Sequence, residues 1–245
     1  MTKEFTVEVP PPPRCEGFQD IRSTGDLDTC VLHKESFTNF EKEILRQRIR
    51  EMLVISSTRH PSDIAAAIIE DVIHKVENSL PSMEDTPTRF DTRTVAIVDP
   101  YSCPPRYAHE IDAHDVVMRS LYGPSVGTKT TIHMGKYNGD GDTDKLRALP
   151  TDVIKICAGG AYCHTAGRIY DLVHKEALKN VFILKPSFST GINELSSERY
   201  VDLMLGIGLR VFRKVNWYGM PAELAAPNHP VRHCLTTTHR IQVYR

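Results

Sequence analysis

Between residues 94 and 244 the sequence keeps switching hydrophobic period, and this alternation constrains the fold more than any other feature. Short β-branched, near-continuously apolar runs stand at 94–98, 116–118, 130–133, 153–157, 181–184, 215–218 and 241–244, each of strand length. Between them Ile169, Leu172, Val173 and Leu178, and later Leu203, Leu205, Ile207, Leu209 and Val211, fall in helical segments. Strands apolar on both sides and separated by helices form a mostly parallel sheet covered on both faces, because a parallel pair needs a crossover. The expectation is an α/β domain built on a single Rossmann-like sheet. Such sheets bind ligands where strand carboxyl ends meet loops and helix N-termini. Polar residues directly after the apolar runs are therefore the candidates for chemistry.

Two helices are expected ahead of the sheet. Thr38 and Glu41 have the spacing of a capping box, and Phe40, Ile44, Leu45, Ile49, Met52 and Leu53 accompany them at helical intervals. His60-Pro61-Ser62 breaks that pattern, and Ile64, Ile68, Ile69, Val72, Ile73 and Val76 mark a second amphipathic helix ending near Leu80-Pro81. Residues 1–36, with prolines at 10–13, scattered charge and little periodicity, read as a flexible proline-rich tail. Residues 37–245 then form one domain.

The 245 residues carry a formal net charge of -1 with 25% charged side chains, which argues against a nucleic-acid partner. The absence of any apolar run of about 18 residues or more points to a soluble chain with no membrane span. Cys15, Cys30, Cys103, Cys157, Cys163 and Cys234 include no C-x-x-C pair, a spacing that favours free thiols in a reducing, cytoplasmic setting over a zinc site or a disulfide scaffold.

Three segments place polar groups beside strand ends. The first follows the 94–98 run with Asp99-Pro100-Tyr101-Ser102, continues through Ile111, Asp112, His114, Asp115, Val117 and Arg119, and ends in Gly127, Lys129, Thr130 and Thr131. Acid, imidazole and guanidinium so close together either present donors to a phosphate or carboxylate, or, for Asp112, His114 and Asp115, cap and brace a turn. The second, Lys185-Pro186-Ser187-Phe188-Ser189-Thr190-Gly191, follows the 181–184 run and leads towards a helix. Its small residues suit an anion cradle at a helix N-terminus, and equally an ordinary helix cap. The third is Asn228-His229-Pro230-Val231-Arg232-His233, where either imidazole suits a general base. A metal set of His229, His233 and His239 lacks carboxylate or cysteine company, so no metal is expected.

In this order the segments resemble the eukaryotic-type sialyltransferase family. Ile111, Asp112, His114, Asp115, Val117 and Arg119, followed by Gly127, Lys129, Thr130 and Thr131, are similar to its large motif; Pro186, Ser189, Thr190 and Gly191, followed by Val215, Asn216, Tyr218 and Gly219, are similar to its small motif. The likeness spans roughly residues 92–245. It implies a variant of the GT-A-type single-domain fold that transfers sialic acid, or a related keto-sugar acid, from a CMP donor to a glycan hydroxyl, with inversion and without metal or cofactor. It implies that Asp99, Ser102, Arg119, Ser189, Thr190, Gly191, Tyr218 and Gly219 bind substrate, that Asp112, His114 and Asp115 brace the site, and that His229 or His233 is the base. Its partners would be the CMP-sugar and a glycan acceptor.

The departures from the family pattern are specific. Arg119-Ser120-Leu121 stands where the family has R-x-N, and both cysteines of the family disulfide are replaced, near Thr94-Val95 and near Phe212-Arg213. The missing disulfide agrees with a reducing compartment; with an N-terminal anchor removed, the Golgi lumen is the alternative. The His-then-Glu spacing of the family's base motif is also missing, which leaves a catalytically inactive nucleotide- or glycan-binding protein as the competing reading.

Overall fold

The structure, a computed structural model, describes residues 22–55, 62–85, 88–90, 94–99, 103–120, 126–135, 140–158, 162–193, 200–219 and 239–244. Helices α1 (Asn39–Ile55) and α2 (Ser62–Ser79) come first. Among the described residues seven strands follow: β1 (Thr94–Val98), β2 (Val116–Ser120), β3 (Ile132–Gly135), β4 (Ile154–Cys157), β5 (Val181–Ile183), β6 (Lys214–Tyr218) and β7 (Ile241–Tyr244). They form one sheet in the order β5-β4-β3-β2-β1-β6-β7, and every pair is parallel. The connections carry α3 (Ala108–Asp112), α4 (Asp140–Ala148), α5 (Tyr162–His174), α6 (Pro186–Asn193) and α7 (Tyr200–Val211). The chain winds outward from β1 to β5 and then crosses back to lay β6 on the other side of β1. Winding therefore reverses between β1 and β6, and that crevice is where sheets of this kind receive ligands.

Strand alternation gives the sheet two different faces. On one, Val95, Ile97, Met118, Ile156, Phe182 and Trp217 join α7 in an apolar core. On the other, Ala96, Val98, Val117 and Tyr218 pack under Ile111 of α3, while Cys157, Val181 and Ile183 pack under α1, α2 and α5. Between these two patches the same face carries a buried row of cationic residue types in register, Arg119 on β2, His133 on β3 and Lys155 on β4. Lys155 Nζ donates to the carbonyls of Val153 at 2.8 Å, Pro150 at 3.2 Å and Lys179 at 3.4 Å, so backbone dipoles solvate the ammonium.

The tail expectation fails for residues 22–36. Leu27, Cys30, Val31 and Leu32 have no exposed surface, and Leu27–Thr29 forms a 3-10 turn capped by Asp26. Leu32 N–H donates to Ile183 O at 2.8 Å, Lys185 N–H donates to Cys30 O at 2.9 Å, and Val31 bridges Leu184 in antiparallel fashion. This strap covers the outer edge of β5, an edge that otherwise presents unpaired backbone groups. Its irregular path carries no helical or strand period, which is why it read as tail. Residues 1–21 lie outside the described residues.

The capping box forms by half. Thr38 Oγ1 accepts from Glu41 N–H at 3.4 Å, but Thr38 N–H goes to Ser36 O, and the Glu41 carboxylate leaves α1 to accept from Ser187 N–H on α6 at 3.0 Å.

Candidate functional site at the β1–β6 crevice

β1 ends into Asp99, whose N–H donates to Tyr218 O at 2.9 Å, and Gly219 N–H donates to Tyr244 O at 2.9 Å. Asp99 is only 2% exposed. The chain returning after β1 lies directly on Gly219. A Cβ there would sit 2.4 Å from Cys103 N, and its φ of +83° is in the left-handed region, so only glycine fits on both counts. Burial, the largest influence, pushes the Cys103 thiol up to about 11, which leaves it protonated near neutrality.

Two contacts tie the large-motif region to β6. Asn216 Nδ2 donates to His114 Nε2 at 2.8 Å, and His114 Nδ1 lies 2.9 Å from Glu110 O. A carbonyl only accepts, so the ring carries its proton on Nδ1 and accepts at Nε2. Tyr218 Oη donates to Glu110 Oε1 at 2.8 Å. Its ring stacks on Tyr244, with centroids 4.4 Å apart at 15°, and meets Tyr107 edge-on at 5.6 Å. Burial first, and then the Glu110 carboxylate, raise the Tyr218 hydroxyl well above its ordinary value. His114 and Tyr218 thus spend their polar atoms inside the protein.

Asp112 ends α3 and gathers the turn after β2. It accepts from Thr128 N–H at 2.8 Å, Thr128 Oγ1 at 3.0 Å and Lys129 N–H at 2.9 Å. Burial pushes its carboxyl up, but those donors together with Arg119 outweigh it and hold the pKa below the usual range. Gly127, at φ +77°, packs so closely that a Cβ would lie 2.5 Å from Asp112 Oδ1. Arg119 Nε donates to Lys129 O at 2.8 Å, Nη2 stands 3.6 Å from Asp112 Oδ1, and Lys129 Nζ donates to His114 O. The Asp115 side chain is exposed, and its carbonyl accepts from Thr131 Oγ1 at 3.4 Å.

The first half of the small motif, Pro186 to Gly191, stands elsewhere. β5 is four strands from β1, roughly 19 Å at the usual strand spacing, and α6 starts at Pro186, where a loop was expected. Ser189, Thr190 and Gly191 are inside that helix. Ser189 N–H donates to Lys185 O at 2.9 Å, and its buried hydroxyl donates to Pro186 O at 3.1 Å. Pro186 supplies a preset φ and lacks an N–H, which suits it to the first position of the helix.

The structure therefore gathers Asp99, Arg119, Tyr218 and Gly219 with Asp112 and His114 at the β1–β2–β6 end of the sheet and sets Ser189 apart. Ser102, His229 and His233 lie outside the described residues. Glu110 and Tyr244 were missed in the sequence. Nothing local to Glu110 signals its bond to a tyrosine 108 positions on. Among the described residues no group of three or more His, Cys, Asp or Glu side chains is placed to hold a metal ion, and no helix is long and apolar enough to cross a membrane.

No model of a known protein family matches the chain, and no curated protein matches its sequence. Solved structures do match. A crystal structure of a mammalian sialyltransferase superposes with a TM-score of 0.60 at 16% identity, over 94% of this chain and 94% of that one. A mammalian sialyltransferase in complex with Gal-beta-1-3GalNAc-ortho-nitrophenol gives 0.58 at 16% identity, over 94% and 95%. The chain has the sialyltransferase fold.

Proposed function

We propose that this chain, built on the sialyltransferase fold, is a metal-independent inverting glycosyltransferase that moves sialic acid or a related keto-sugar acid from a CMP donor to a glycan hydroxyl. One juxtaposition carries the reading: Asp99, at the end of β1, lies beside the Tyr218-Gly219 turn at the end of β6, where winding reverses and such sheets bind nucleotides. The acceptor oxygen bonds to the anomeric carbon as the bond from that carbon to the CMP oxygen breaks, and CMP leaves with the electron pair. The hydroxyl proton passes to a histidine, His229 by first choice and His233 by second. No cofactor takes part.

The test is release of CMP from CMP-sialic acid on addition of a galactose-terminated acceptor. His229→Ala or His233→Ala is expected to cut that turnover by about 10²-fold or more, the range for a general base, with an unchanged melting curve. Activity that survives both substitutions removes both histidines from the base role. A second reading is a non-catalytic nucleotide- or glycan-binding protein, favoured by the commitment of the Ser189 N–H and hydroxyl within α6. Calorimetry with CMP, CDP, UDP and GDP separates the two. Tight CMP binding without turnover supports the binding protein.

A further inference from the structure

The end of β7 carries an aromatic surface to which the transfer described above gives no role. Tyr244 and Tyr218 are register partners on neighbouring strands, and the 4.4 Å between their stacked rings is close to the spacing of the strands themselves. One face of the Tyr244 ring is therefore spent on Tyr218. β7 is the last strand of the sheet among the described residues, so the opposite face of that ring points past the sheet edge, and Tyr244 is partly exposed. Tyr107 meets both rings edge-on, at 5.6 and 5.8 Å. The exposed Arg106 guanidinium lies 4.8 Å from the centre of the Tyr107 ring and donates to its hydroxyl at 3.2 Å. Tyr218, fully buried and held by Glu110, gives this group a rigid base. The surface is continuous with the crevice. Gly219 N–H donates to Tyr244 O at 2.9 Å, and β7 stands one strand beyond β6, roughly 5 Å, about the width of a sugar ring.

We propose that Tyr244, with Tyr107 and Arg106 beside it, is the acceptor subsite, and that its occupant is a terminal pyranose of the galactose type. The inference rests on the transferase reading given above, which places the donor in the crevice and the acceptor nowhere. Ring chemistry selects the occupant. In a galactose-type pyranose the axial hydroxyl leaves several ring hydrogens together on one face, an apolar patch that matches a flat aromatic ring. The hydroxyls at its rim need hydrogen-bond partners, and a guanidinium supplies donors in a fixed plane. An aromatic wall with a few polar groups at its margin is the usual lining of a small-ligand site. A nucleobase also stacks on a tyrosine, so the test measures both ligands.

Wild type, Tyr244→Ala and Tyr244→Phe are titrated by calorimetry with a galactose-terminated disaccharide glycoside and, separately, with CMP. Tyr244→Ala is expected to weaken disaccharide binding about tenfold, the size of one good aromatic contact, and to leave CMP affinity unchanged. Tyr244→Phe keeps the ring and is expected to bind as wild type does, which separates stacking from the hydroxyl that bonds with Tyr218 and Glu110. Saturation-transfer NMR on wild type is expected to mark most strongly the ring hydrogens on the apolar face of the galactose. Should Tyr244→Ala not fold, that saturation pattern still tests the contact, and Arg106→Ala, at an exposed position, is expected to weaken the disaccharide part of the way. The proposal is overturned by wild type that binds no disaccharide, by affinity that Tyr244→Ala leaves unchanged, or by even saturation of all the sugar hydrogens. Loss of CMP affinity in place of disaccharide affinity also overturns it and makes the ring a platform for the base. Disaccharide binding that responds to Tyr244→Ala in a protein that neither binds CMP nor turns over supports the subsite and removes the transferase reading instead.

Discussion

His133 makes the folded chain sensitive to acid. Burial, the largest cause, followed by the positive charges of Lys155, Arg119 and Lys145, pushes its pKa down to about 4. The unfolded chain takes up this proton near pH 6.5 and the folded chain does not until about pH 4, so the unfolded state binds more protons throughout that window. Stability contributed by the neutral ring is fully present above pH 6.5 and is lost as pH falls towards 4, an effect on the order of 3 kcal/mol. Urea midpoints measured from pH 7 to pH 4.5 should fall in wild type and stay nearly flat in His133→Gln. An equal fall in both would place the acid sensitivity elsewhere. Gly127 makes a second demand at this scale. Gly127→Ala meets a left-handed backbone and the Asp112 carboxylate at once, and is expected to cost about 2 kcal/mol or more, read as a lower midpoint with unchanged slope.

At the scale of elements, the strands were legible because a sheet buried on both faces needs unbroken β-branched runs, and those runs are local. β1 and β7 fall on the expected residues, and the others differ only by a few positions at their ends. What was illegible depends on distant partners. The strap has no period of its own and becomes structure only against β5. Helix α4, DGDTDKLRA, is too polar to display an apolar stripe. Helix α6 read as a loop because its cap, Glu41, comes from α1 and not from the neighbouring chain. The strap is accordingly expected to be indispensable. Four fully buried apolar side chains at about 2 kcal/mol each rival the whole stability of an ordinary domain. Removing residues 22–36 should abolish the cooperative unfolding transition, and a truncated chain that melts like wild type would show that the strap is dispensable.

For the molecule as a whole, the α/β class and the parallel sheet follow from the sequence, and the likeness to mammalian sialyltransferases holds at the level of fold. The geometry of the site was only partly legible, because strand order decides which motifs meet. Asn216 and His114 meet because β6 lies beside β1, while β5 places Ser189 four strands away, and nothing local to either segment encodes that order. The most direct test is a crystal structure of the protein soaked with CMP. The account predicts the nucleotide in the crevice between β1 and β6, against Asp99 and the Gly219 turn, with the first turn of α6 still closed on Glu41. CMP seated on the α6 terminus in place of that carboxylate, or a crevice that stays empty at millimolar CMP, would contradict it.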